Sequence, residues 1–175
     1  MLSNPFDLPG EAAVSVNRPS FDIAWSKFRD VNVSVAKVGK KIGGKVQYNI
    51  DEKIFVNACP IRISYVLNYS GVLIPKAGYD SVSGADKKWY IYRVKDMMSF
   101  VTNTFGKPDK TVASPKPADF SGSKGLLIVK GHGWSDAAGH VTLWNGAMCQ
   151  DSCHLAQDPD NGAFTPETAS LWLLK

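Results

Sequence analysis

Three residues of this chain are of the types, and lie in the order, that acyl transfer needs: a cysteine that opens a helix, a histidine at the mouth of a strand, and an acid close behind it. A thiolate is the reactive form of cysteine, and the partial positive charge at a helix N-terminus favours that form. Cys59 occupies such a place. Pro60 suits the first turn of a helix and Gly71 the residue past its end, with Ile61, Ile63, Tyr65, Val66, Leu67 and Tyr69 between them. Arg62 is the only charge in that stretch, and a helix apolar nearly all round belongs in the middle of a protein. Position alone leaves a second reading open, in which Cys59 is a small buried hydrophobe. A base decides between them.

His140 is the best placed of three histidines. Gly139-His140-Val141-Thr142-Leu143-Trp144 reads as a strand that runs into Asn145-Gly146, the strongest short hairpin signal. A two-residue loop at 145–146 sets Asp151 directly across from His140, and directly opposed residues have Cβ atoms about 4.5–5.5 Å apart. A carboxylate there accepts a proton from one ring nitrogen and leaves the other for Cys59. An isolated pair of this kind is usually an ordinary cross-strand contact. Cysteine on an early helix with His and Asp on later strands gives it a catalytic alternative, with Asn145, Asp136 and Asp158 as the next partners to consider.

Cys149 and Cys153 flank Asp151. As a disulfide they close a small ring worth about 2 kcal/mol by loop-closure entropy and stiffen the loop that holds the carboxylate. As two thiols beside His154 they invite a metal or haem reading. The spacing argues against both ligand sets: three residues separate the cysteines where haem attachment uses two, and a closed zinc site finds only His132 or His140 to complete it. No metal and no cofactor is expected, and His132 reads as a turn residue after a strand.

The elements that must position these residues follow from periodicity. Ser20 is placed to cap a first helix carrying Phe21, Ala24, Trp25 and Phe28, and a second helix spans Val33 to Ile42 before Gly43-Gly44. Short strands are predicted over Trp89–Tyr92, Leu126–Lys130, His140–Trp144 and Ala169–Leu174, with a helix over Val94–Phe105 and a loop over Lys107–Gly125. Helices come first and strands later, which makes the class α+β. Residues 1–17 read as an extension, and 18–175 as one domain.

Composition excludes more than it selects. Of 175 residues 44% are hydrophobic and 21% charged, so the chain is neither disordered nor fibrous. The net charge of +4 comes from 20 Lys and Arg against 16 acids in small scattered clusters, unlike the concentrated stripe of a nucleic-acid reader. No apolar run reaches membrane-spanning length, and Met1 to Asn17 lacks the pattern of a secretory signal.

With those residues in view, the chain resembles the fourth family of type VI secretion amidase effectors, toxins with a papain-like fold akin to NlpC-type wall peptidases. The resemblance rests on Arg18-Pro19-Ser20-Phe21, Asn57 through Asn68, Ser83-Gly84-Ala85-Asp86, Lys130 through Trp134 and Gly139 through Gly146. It implies N-terminal helices packed on an antiparallel sheet, and hydrolysis of the amide between D-glutamate and meso-diaminopimelate in peptidoglycan stem peptides. Cys59, His140 and Asp151 match the catalytic set, and Cys149 and Cys153 match a disulfide. The amide of Cys59 is a candidate oxyanion donor, and Lys53 stands where papain has a glutamine. The resemblance further implies delivery by the secretion apparatus into a rival's periplasm, and an immunity protein that blocks the cleft. A wall-binding module without turnover is the competing expectation, since five Trp and six Tyr suit glycan contact as well.

Overall fold

Helix α1 (Phe21–Val31) buries Phe21, Ala24, Phe28 and Val31 along one stripe in the computed structural model, which describes residues 18–175. The expected extension, residues 1–17, lies outside the described residues. Ser20 makes no side-chain cap. The stretch before α1 is tied down instead by Arg18, which pairs with Asp109 and donates to the carbonyls of Phe105 and Leu173.

Helix α2 (Val35–Ile42) begins two residues later than expected, where Ser34 caps it through the Lys37 N–H. Gly43-Gly44 does not end the helical region: a further helix, α3 (Gly44–Asp51), follows at once. Both glycines have positive φ, and a Cβ on Gly44 would meet the backbone of Gly84 and Ala85 at 2.7 Å. The pair therefore turns the chain and lets the Ser83–Asp86 segment approach, with the Ala85 N–H donating to Ile42 O.

Helix α4 (Cys59–Tyr69) has the predicted bounds and is buried along most of its length. Two buried polar side chains clip it to a small hairpin, β1 (Ser81–Ser83) and β2 (Trp89–Ile91). Ser64 Oγ donates to Pro60 O at 2.8 Å and accepts from the Ile91 N–H at 2.9 Å, while Asn68 Nδ2 donates to Trp89 O at 2.8 Å. Ser64→Ala should destabilise the protein by about 1–3 kcal/mol, because it strands the Ile91 N–H in the core. Urea unfolding checks this, and an unchanged midpoint would show that the amide finds another partner.

Helix α5 (Val94–Phe105) also has its predicted bounds. Beyond it a four-stranded antiparallel sheet runs β3-β6-β4-β5, built from β3 (Lys110–Ala113), β4 (Gly125–His132), β5 (Gly139–Trp144) and β6 (Thr165–Leu173). Side chains alternate across it. Leu126, Ile128, Val141, Leu143 and Trp172 join the core with the helices, whereas Leu127, Val129, Trp144, Ala169 and Leu171 pack with Phe120, Leu155 and Phe164 on the other face.

Two expectations are corrected here. The segment 107–125 is not all loop, since it holds β3 and a short 3-10 turn at Pro117–Phe120; β3 is an edge strand with mostly exposed side chains and so shows no apolar alternation. His132 is not a turn residue but the last residue of β4, paired with Thr165 and bonded through Nδ1 to Glu167 at 2.8 Å. Among the described residues no helix is long and apolar enough to cross a membrane.

Candidate active site

The N-terminus of α4, the start of β5 and the segment after β5 meet around a cavity of about 380 Å³. Cys59, His140 and Asp151 all line it. Cys59 is the first residue of its helix, only 2% exposed, and the one free thiol among the described residues. His140, 7% exposed, hydrogen-bonds through Nε2 to Asp151 Oδ2 at 3.0 Å, which leaves Nδ1 for the thiol. The other carboxylate oxygen of Asp151 accepts from Thr142 Oγ1 at 2.5 Å.

The route by which Asp151 reaches His140 differs from the expected register. The loop after β5 is not the two-residue turn 145–146: the Asn145 N–H donates to Met148 O, and Trp144 bridges to Cys149. Asn145 Oδ1 accepts from the N–H groups of Ala147 and Met148, so this asparagine folds its own turn over two further residues instead of starting a primed one. The shift puts Asp151 level with Thr142, two residues along the same strand face from His140, and the carboxylate spans both. Thr142 has no signal in sequence beyond that alternation.

The Asp151 loop is held from several directions. Cys149 and Cys153 form a disulfide with Cα atoms 5.6 Å apart, which uses up both thiols that a metal or haem site would need. Gln150 Nε2 donates to Trp25 O at 2.7 Å, and Gln150 O accepts from Asn32, so the loop is moored to α1 and the turn after it. Asp158 accepts from the His154 N–H, and Asp160 from Ser152 Oγ. Of the alternative partners, Asp158 is thus committed elsewhere, Asn145 sits in its turn, and Asp136 lines the cavity without bonding His140.

His154 is the residue that sequence reasoning missed. Its neighbours Cys149 and Cys153 drew it only into the metal reading, whereas its ring lies edge-on to His140 with centroids 4.7 Å apart and lines the same cavity. The Asn161 amide fixes its tautomer. Asn161 Nδ2 donates to Leu155 O, so Oδ1 faces His154 Nδ1 at 3.0 Å, and Nδ1 must carry the proton. Burial, then the neighbouring His140, push the His154 imidazole below its ordinary value. It stands neutral beside His140 with Nε2 as an acceptor. Trp134 supports the ring from another side and stacks on Phe164.

The electrostatics of His140 run the opposite way. Burial alone would lower its pKa, but the hydrogen bonds to Asp151 and Cys59, with their charges, raise it to about 10. At neutral pH the ring is therefore an imidazolium beside Cys59. The raised value has a definite sign for stability. The stabilising contribution of His140 is complete below its unfolded value of about 6.5, and it is lost as the pH rises through about 10. Both the melting temperature and kcat/KM should fall across that window, and substituting His140 by Gln should flatten the melting curve there.

One expected oxyanion donor is already engaged. The Cys59 N–H donates to Asn57 Oδ1 at 3.0 Å, and Lys53 lies in an exposed turn away from the cavity lining. Asn57 itself lines the cavity, and since its oxygen is bound to the amide, its Nδ2 is the atom left as a donor.

A cysteine on a buried helix facing a histidine from an antiparallel sheet and a carboxylate from the loop that follows it is the architecture of papain-like cysteine hydrolases. The family described as Tae4, type VI secretion system (T6SS) amidase effector protein 4, matches residues 55–172. The chain belongs to this family. It is 60% identical to the effector Tae4 from Salmonella typhimurium, crystallised with the immunity protein Tai4 from Enterobacter cloacae, with a TM-score of 0.88 over 90% of this chain and 100% of that one. Tae4 in the Tae4–Tai4 complex from Enterobacter cloacae is 56% identical, also with a TM-score of 0.88, over 90% and 99% of the two chains. Tae4 from Enterobacter cloacae alone is 55% identical, with a TM-score of 0.85 over 90% and 98%. No curated protein matches.

Proposed function

We propose that this amidase effector hydrolyses the bond between D-glutamate and meso-diaminopimelate in peptidoglycan stem peptides, with Cys59 as nucleophile, His140 as proton carrier and Asp151 as the group that orients it. The observation that carries the reading is the Asp151–His140 hydrogen bond facing a helix-borne thiol in one cavity. With His140 already protonated, the Cys59 sulfur adds to the glutamyl carbonyl carbon as the thiolate. Collapse of the adduct breaks the C–N bond, and His140 gives its proton to the leaving amine. Water then cleaves the thioester, His140 accepts the water's proton, and the departing thiolate restores the starting pair. Thr142 holds the second carboxylate oxygen, so Asp151 cannot swing away, and His154 packs the far side of the imidazole.

The relatives crystallised with Tai4 support a cognate immunity protein that covers this cleft. Membership of an effector family supports delivery by the secretion apparatus to the periplasm of recipient cells, an oxidising compartment in which a disulfide persists.

Incubation with purified sacculi tests the reading. Fragments ending in free D-glutamate, with new amino-terminal diaminopimelate, are expected by mass spectrometry. Sedimentation with the wall and no fragments would return the wall-binding module. A further outcome is expected for Cys149→Ser with Cys153→Ser. The moorings at Gln150 and His154 remain, so stability should fall by only about 2 kcal/mol, while turnover drops further because the ring contains Asp151. Turnover equal to wild type in the same buffer would show that the bridge serves durability alone.

A further inference from the structure

The helix that presents Cys59 carries a charge that the proposed chemistry does not use. Arg62 lies one turn further on, and side chains three apart on a helix have Cβ atoms about 5–6 Å apart and lean toward the helix start. It lines the same cavity as Cys59. Its Nε donates to Val31 O at 3.0 Å and its Nη2 to Val33 O at 2.8 Å. Those two bonds fix the plane of the guanidinium and leave its other donors uncommitted. Among the described residues no carboxylate forms an ion pair with it. Burial pulls its pKa below the usual value, opposed only by the charges of Asp151 and Cys59 at longer range. A partly buried cation without a close counter-charge is costly until an anion meets it, and the guanidinium fork suits a carboxylate.

We propose that Arg62 binds a carboxylate of the substrate, and that this is the α-carboxylate of the D-glutamate whose side-chain carbonyl Cys59 attacks. This rests on the bond assigned above. In a γ-linked glutamate two methylenes and the α-carbon join that carboxylate to the scissile carbonyl. When the carbonyl carbon meets the sulfur, the carboxylate lies within reach of a cation one helical turn away. In a longer stem the diaminopimelate carboxyl beside the scissile nitrogen is amide-linked to the next residue, and the distal carboxylate lies on the leaving side, separated from the nucleophile by the whole departing residue. A stem peptide whose glutamate is amidated to isoglutamine keeps one accepting oxygen but replaces the other with an N–H₂ group that a donor-only guanidinium cannot use, and it leaves the cation without a counter-charge.

Three soluble substrates, each with the diaminopimelate carboxylate beside the scissile nitrogen capped as an amide, test this: L-Ala-γ-D-Glu-meso-diaminopimelate, the same peptide amidated at the glutamate α-carboxylate, and the same peptide amidated at the distal diaminopimelate carboxylate. Wild-type kcat/KM for the first should exceed that for the second by roughly 10- to 100-fold, the worth of a hydrogen bond to a charged group, and should match that for the third. Arg62→Met should remove the preference by slowing only the substrates that carry the glutamate carboxylate. Arg62→Lys, a cation without the fork, should keep part of it. Equal wild-type rates on the first two peptides overturn the proposal, and so does a folded Arg62→Met variant that still prefers the acid. If that variant does not fold, the wild-type comparison and Arg62→Lys decide. A loss confined to the third peptide overturns the glutamate assignment. Cleavage of none of the three overturns the bond assignment and this inference with it, whereas cleavage without preference sinks Arg62 alone.

Discussion

Cys59→Ala is expected to reduce the release of fragments from sacculi by at least about 10⁴-fold while the protein still folds, because a methyl group supplies no attacking electron pair. The substitution is small for a residue so enclosed, and the helix around it is anchored by Ser64 and Asn68 rather than by the thiol. A second readout separates loss of the nucleophile from loss of the site. The Cys59 hydrogen bond and charge both raise the His140 pKa, so an NMR titration of the variant should show that value moved down toward the ordinary imidazole range. Substantial residual cleavage would remove Cys59 from the mechanism. A full loss of activity with His140 unchanged would mean that the two side chains do not interact.

Asp151→Asn carries the second largest expected effect, a fall of roughly 10²- to 10⁴-fold in kcat/KM. Asparagine nearly preserves the shape and can still accept from Thr142, but it removes the charge and offers His140 an N–H group as readily as an oxygen. The ring is then free to adopt the tautomer that faces Cys59 with the wrong atom. Since Asp151 is the leading contributor among those that raise the His140 pKa, the alkaline limb of the rate profile should move to lower pH as the maximum falls. Activity equal to wild type would show that Asp151 is a structural neighbour and direct attention to Asp136, the other acid lining the cavity.

How far the sequence could be read depended on where local signals agreed with tertiary ones. Helices α4 and α5 were legible to the residue because proline and glycine punctuate them as their own chemistry requires. Helix α3 was hidden behind Gly43-Gly44, whose glycines answer to the close passage of Ala85, a contact from some forty residues away. Strand β3 was hidden because an edge strand with polar side chains looks like loop. The pairing of His140 with Asp151 could be reached from Asn145-Gly146, yet the turn that forms there is longer, since the Asn145 side chain captures two amides. Thr142 and His154 were not seen. The first acts through a carboxylate whose register had to be known, and the second through a ring contact formed only once the disulfide loop is laid against β5.

The site straddles a seam. Cys59 belongs to the helical half of the chain and His140 and Asp151 to the sheet half, and the loop carrying Asp151 is moored to Trp25, 125 residues earlier. Contacts so distant in sequence form late, because loop-closure entropy must be met before they contribute, whereas α4 can form from its own neighbours. A partly folded chain, with its helices made and its sheet not yet docked, therefore contains a cysteine but no nucleophile. Catalytic competence appears only with the final assembly of the fold, because the core shared by the helices and the sheet is also what brings Cys59 to His140.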